Sequence, residues 1–263
     1  MSRVLRAEWT KLRTVPSTAW LVAAVIGLTL ALGVAAVASV DTAHCPTPTT
    51  CAEDTARLSL TGVWLGQAAV AVLAVLAVTN EHASGLIRST LAASPSRVRV
   101  LAGRLTVVTV TVVAAAALGV AGSVLAAAAI LPSNGFTPAH GYAQLSLADG
   151  PTLRAAAGSV LYLGLVAVIG VAVATIVRGT AAALTAALTV LYAIPLLVRF
   201  VSDPGWQEQL QRWSPSSAGL TIQATTGLER LPIQPWAGLG VLAGYAFVTL
   251  VLAAALFHSR DAG

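Results

Sequence analysis

Six stretches of roughly 20 residues without a charged side chain set the frame for this chain: approximately 18–40, 62–79, 105–131, 155–177, 180–198 and 236–257. A helix needs about 20 mostly apolar residues to cross a hydrocarbon layer of about 30 Å. Each run is rich in Ala, Val and Leu on all sides, with no polar face. Such a helix is buried or lipid-embedded. Burial in a water-soluble protein would need a polar shell. With 57% hydrophobic and 10% charged residues the chain cannot supply one, since soluble domains carry about 25% charged residues. A soluble enzyme, a nucleic-acid-binding domain and a disordered tail are thereby excluded. The expected fold is an all-α integral membrane protein with six transmembrane helices, forming a single transmembrane domain over residues 1–263. The fifth run holds Pro195, which predicts a kink near one end.

Charge sets the expected orientation. Arg3, Arg6, Lys11, Arg13, Arg88, Arg97, Arg99, Arg104, Arg178 and Arg260 fall on one side of the six spans; Arg57, Arg154, Arg199, Arg212 and Arg230 fall on the other. With the acids included, the two sides carry +7 and −2, together the net +5. Because Lys and Arg accumulate in cytoplasmic segments, both termini are expected in the cytoplasm and the chain in the plasma membrane. The apolar stretch of the first run is too long for a signal peptide, so an uncleaved first helix is expected.

Chemistry is scarce. Lys11 is the only lysine and no glycine-rich run precedes it, so the phosphate-binding loop G-x-x-x-x-G-K-[ST] is absent. Any ATP, with its Mg²⁺, would be bound by another chain, and no catalytic residue, cofactor or metal is expected here. The runs hold no Asp, Glu, His, Lys or Arg, the residues that relays and counter-ions require. Ser123 has no nearby His to activate it. Small-residue spacings occur at Gly62/Gly66 and Gly240/Gly244, and their ordinary meaning is close helix packing. Cys45 and Cys51, the only cysteines, share the first outward loop. A disulfide across that loop is favoured, with two free thiols the alternative.

Three polar segments carry a pattern. In 1–14, Leu5, Trp9 and Leu12 lie at i, i+4, i+7 with the basic residues elsewhere, which predicts an amphipathic helix in the interface, against a plain basic flank. In 80–104, Leu86/Thr90 and Ile87/Leu91 form i, i+4 pairs, and Ser94-Pro95 restarts a helix. A short helix facing a cytoplasmic partner and a solvated basic loop both fit. Between the last two spans, Asp203-Pro204 opens a helix whose Trp206, Leu210 and Trp213 share one face, lying in the outer interface or dipping into it. Ser214-Pro215 ends that helix, and an ordinary tryptophan-anchored loop is the alternative.

The ordered set resembles a known family, the permease subunits of type-2 ABC exporters, particularly the actinobacterial kind. The stretches that carry the resemblance are Glu8–Thr14 with Ser17–Trp20, Glu81–Leu91 with Ser94–Arg97, Trp213–Gly219, and Pro235–Gly238 with the terminal Arg260-Asp261-Ala262. The resemblance implies a cytoplasmic ATPase subunit that grips a coupling helix at Glu81–Leu91. Glu81, Gly85, Leu86, Ile87, Arg88 and Leu91 would make the contact, and Arg97 would steady the next span. It also implies a second copy of the chain or a related permease, surrounding membrane lipid, and no nucleic-acid partner. The alternative is a membrane immunity, assembly or sensor subunit that uses the same scaffold without transporting.

Overall fold

The computed structural model describes residues 2–42, 53–83, 97–198 and 200–259. Among the described residues the chain is helical and has no strand. Its elements are α1 (Ser2–Thr14), α2 (Pro16–Ala38), α3 (Thr55–Ser59), α4 (Val63–Ala83), α5 (Arg97–Ile130), α6 (Gly150–Val177), α7 (Thr180–Leu188), α8 (Ile194–Val198), α9 (Pro204–Trp213), α10 (Pro215–Leu220) and α11 (Pro235–Ser259). Six helical stretches are long and apolar enough to cross a membrane, with α7 and α8 counted as one. The chain is therefore a multi-pass membrane protein.

Local chemistry places the boundaries. Pro16 opens α2, where its missing N–H would have had no partner. Asp149 caps α6 by accepting from the Thr152 amide at 3.3 Å. That helix ends at Arg178, whose φ of 62° is left-handed and turns the chain straight into α7. α5 has 34 residues, about 51 Å at 1.5 Å per residue. It therefore outreaches the hydrocarbon layer and carries Arg97, Arg99 and Arg104 on its first turns. The expected kink in the fifth run takes the form of a π-helical segment, Thr189–Ala193, just before Pro195. A wide turn there accommodates the proline ring.

α4 and α6 form the centre. Both are mostly buried, whereas α2, α7–α8 and α11 are mostly exposed and form the outside of the bundle. α2 packs on α4 and α5, α6 on α4, α5 and α11, and α1 lies against α5. Small residues permit the closest approach. A Cβ on Gly62 would stand 2.0 Å from the Thr29 carbonyl oxygen, and one on Gly33 would stand 2.0 Å from Ser123 Oγ. Gly62 and Gly66 are thus a packing seam, as their spacing predicts, whereas Gly240 and Gly244 have nothing within 4 Å of a Cβ.

Candidate functional site

The α1 end of the bundle holds a buried charge cluster. Leu5 and Leu12 are half-buried, while Glu8 between them is 5% exposed. Its carboxylate lies 2.9 Å from Lys11 Nζ and 3.9 Å from Nε of Arg104, which is 2% exposed. A carboxylate withdrawn from water needs such cations, since an unpaired buried charge is strongly destabilising. The pairing fastens α1 to the first turns of α5. The helix is amphipathic as expected, but it is rotated: Glu8 sits in the protein-facing side with Leu5 and Leu12, and Trp9 is 46% exposed. The periodicity of apolar residues missed Glu8. Its signal was a lone acid among Arg3, Arg6, Lys11 and Arg13.

Glu81 belongs to the last turn of α4, which continues to Ala83, so it does not begin a separate helix. Arg97 is the first residue of α5. Gly85, Leu86, Ile87, Arg88 and Leu91 lie outside the described residues, as do Cys45 and Cys51.

The opposite end is closed by a helical hairpin. Asp203 caps α9 by accepting from the Trp206 amide at 2.9 Å. Trp206 is 66% exposed; Leu210 and Trp213 border an apolar groove of about 250 Å³ with Ile169, Val173 and Tyr245. Ser214-Pro215 ends α9 as expected, but it also begins α10, in a stretch whose sequence is merely small and weakly apolar. Ser216, Ala218, Gly219, Ile222 and Gln223 are all buried. Gly158 of α6 makes room for the Ile222 side chain, and Gly238 makes room for the Ala218 carbonyl. The 214–226 stretch therefore wedges between α6, the π-helical segment and α11.

Hydrogen bonds fix it there. The Ser216 hydroxyl donates to the Leu191 carbonyl in the π-helical segment at 2.8 Å. The Gln223 amide donates to the Leu60 carbonyl at 3.3 Å and to Ser159 Oγ at 3.2 Å. Arg154 donates to the Ala224 carbonyl at 2.5 Å. The Asp54 carboxylate accepts from the amides of Arg57, Thr225 and Thr226 at 2.9, 2.5 and 3.1 Å, and from the Thr225 hydroxyl at 2.7 Å.

Beneath the hairpin runs a neutral polar thread. The hydroxyl of fully buried Tyr162 donates to Gln67 Oε1. Tyr192 donates to the Trp64 carbonyl at 2.5 Å and packs edge-on against the Trp64 ring at 5.0 Å. Ser123 donates to the Ser59 carbonyl at 2.6 Å, so its hydroxyl ties helices together. Single Gln and Tyr residues within apolar runs carry no periodic signal, and this thread is invisible until the helices are assembled.

Comparison with known protein families gives no matching family model, and comparison with characterised proteins gives no matching sequence.

Proposed function

We propose that the chain is the membrane-spanning permease subunit of an ATP-driven type-2 ABC exporter, with both termini in the cytoplasm and a separate ATPase subunit supplying ATP hydrolysis. The observation that carries this reading is the fastening of α1 to α5 through Glu8, Lys11 and Arg104. It sits on the side of the membrane where α4 ends and α5 begins. A push on the 84–96 segment would pass into α5 and, through Arg104, into α1. The hairpin at the far end then closes the outward side while the ATPase is at rest. Substrate would pass between two copies of the chain or between it and a related permease.

The test uses the chain co-expressed in turn with each ABC ATPase subunit of its own organism. Leu86→Asp and Ile87→Asp should strip the ATPase from the purified complex, because burying such an apolar patch is worth a few kcal/mol at about 25 cal/mol per Å². Gly85→Val should leave the complex intact and uncouple hydrolysis from export. The control is Leu153→Asp, an exposed position on α6; Leu145 in the loop before α6 is buried, and an Asp there would damage the core. Equal ATPase recovery from Leu86→Asp, Ile87→Asp and Leu153→Asp would remove the coupling role. A complex that hydrolyses ATP yet moves no solute in sealed vesicles would favour the non-transporting sensor or immunity subunit.

A further inference from the structure

Between α1, the start of α2 and the end of α4 lies a groove of about 350 Å³. Its walls change character with depth. Lys11, Thr14, Ser17, Thr18 and Asn80, with Leu12 and Val15 among them, line the end nearest the helix termini, while only apolar residues, Leu21, Leu73, Leu76 and Ala77, line its deeper end, a turn or two further into the bundle. Since α2 starts at Pro16 and α4 stops at Ala83, the polar end stands at the membrane–water boundary and the apolar end stands in hydrocarbon. Hydroxyls, an amide and an ammonium above leucines match the headgroup, glycerol and first acyl carbons of a phospholipid.

Charge selects the headgroup. Beside the groove, Lys11 and Arg104 pair with Glu8, the one acid of a helix whose basic residues are in excess. Exposed Arg6 and Arg13 on α1 add to the excess. The Lys11 side chain remains 36% exposed at the mouth while paired with Glu8.

From this gradient and this charge we propose that the groove is a binding site for one anionic phospholipid of the leaflet on the α1 side. The lipid phosphate rests against Lys11, Ser17 and Thr18, and one acyl chain lies along Leu21, Leu73 and Leu76. The inference stands apart from the transport reading, because it needs only the described helices and a membrane. A bound lipid would splint α1, α2 and α4 together at the boundary.

The test is lipid titration of the full purified chain in mixed micelles, with phosphatidylglycerol and phosphatidylcholine of matched acyl chains. Adducts are counted by native mass spectrometry. One phosphatidylglycerol should be retained in preference to phosphatidylcholine. Lys11→Gln should weaken that preference about fivefold, the effect of one basic residue near an anionic lipid surface. Arg13→Gln, an exposed residue outside the groove, should change it less than about twofold. Ala77→Phe fills the apolar end and should displace both lipids alike. Lys11→Arg keeps the charge and should retain the preference, which separates lost binding from a misfolded Lys11→Gln. Equal retention of the two lipids by the native chain would overturn the site. So would an Arg13→Gln effect as large as that of Lys11→Gln, which would mean diffuse attraction. Lipid binding unaltered by Ala77→Phe would do the same.

Discussion

Replacing Gly62 by alanine puts a methyl group where the backbone of α2 already stands. The added Cβ would lie 2.0 Å from the Thr29 carbonyl oxygen, 2.7 Å from its carbon and 2.8 Å from Cα. All three are main-chain atoms, so no side chain can rotate away. Ordinary contact begins near 3.4 Å, and α2 would have to retreat by the difference, about 1.4 Å. That retreat would also loosen Gly66 against Thr29 and Gly33 against Ser123 and the Ser59 carbonyl. Overpacking of this kind costs about 1–3 kcal/mol, and a contact with rigid backbone belongs at the upper end. The comparison is Gly240→Ala. It has the same small-residue spacing in the sequence, yet nothing lies within 4 Å of the new methyl, and alanine in a helix interior stabilises by about 0.5–1 kcal/mol. Equilibrium unfolding in micelles by titration with sodium dodecyl sulfate reads both. Gly62→Ala should lower the folding constant by roughly a hundredfold at about 3 kcal/mol, and Gly240→Ala should leave it equal or higher. A neutral Gly62→Ala would refute the packing of α2 on α4. A destabilised Gly240→Ala, dependent on protein concentration, would mean that a second copy covers that face.

Three further outcomes are expected. Glu8→Gln keeps shape but withdraws the negative charge that stands between Lys11 and buried Arg104; it should destabilise by about 3 kcal/mol or more, while Glu8→Gln with Arg104→Gln should recover some of the loss in the same unfolding titration. Asp54→Ala removes the acceptor of four hydrogen bonds and should expose the 214–226 hairpin, measured as faster amide hydrogen exchange at Ile222–Thr226 with exchange in α4 unchanged. Mass analysis after alkylation, with and without reductant, should show Cys45 and Cys51 modified only after reduction; modification of both without reductant would reject the disulfide.

Apolar length was legible because it is a property of consecutive residues. The run 180–198 gave its span to the residue, and Pro195 announced the distortion next to it. Partner choice was not legible, because it depends on residues far apart in the chain. Gly62 and Gly240 share one pattern and differ only in what the fold brings against them. Glu8 reads as one charge in a basic flank until Arg104, 96 positions later, supplies its second cation. The stretch after Pro215 looks like a loop because Ser, Gly and Thr are common in loops. The same small residues let it enter the bundle, where Gly158 and the Leu191 carbonyl receive it.

The thread from Gln67 to Tyr162, together with the charge-free runs around it, has an electrical consequence. A formal charge moved through the full membrane potential exchanges about 2.3 kcal/mol per 100 mV. Rearranging hydroxyls, amides and carbonyls within these helices carries no such charge. Rearrangements confined to these helices should therefore proceed at the same rate in energised and depolarised membranes, and any voltage dependence would have to arise at the charged ends, where Asp54 and Arg154 tie the 214–226 stretch down.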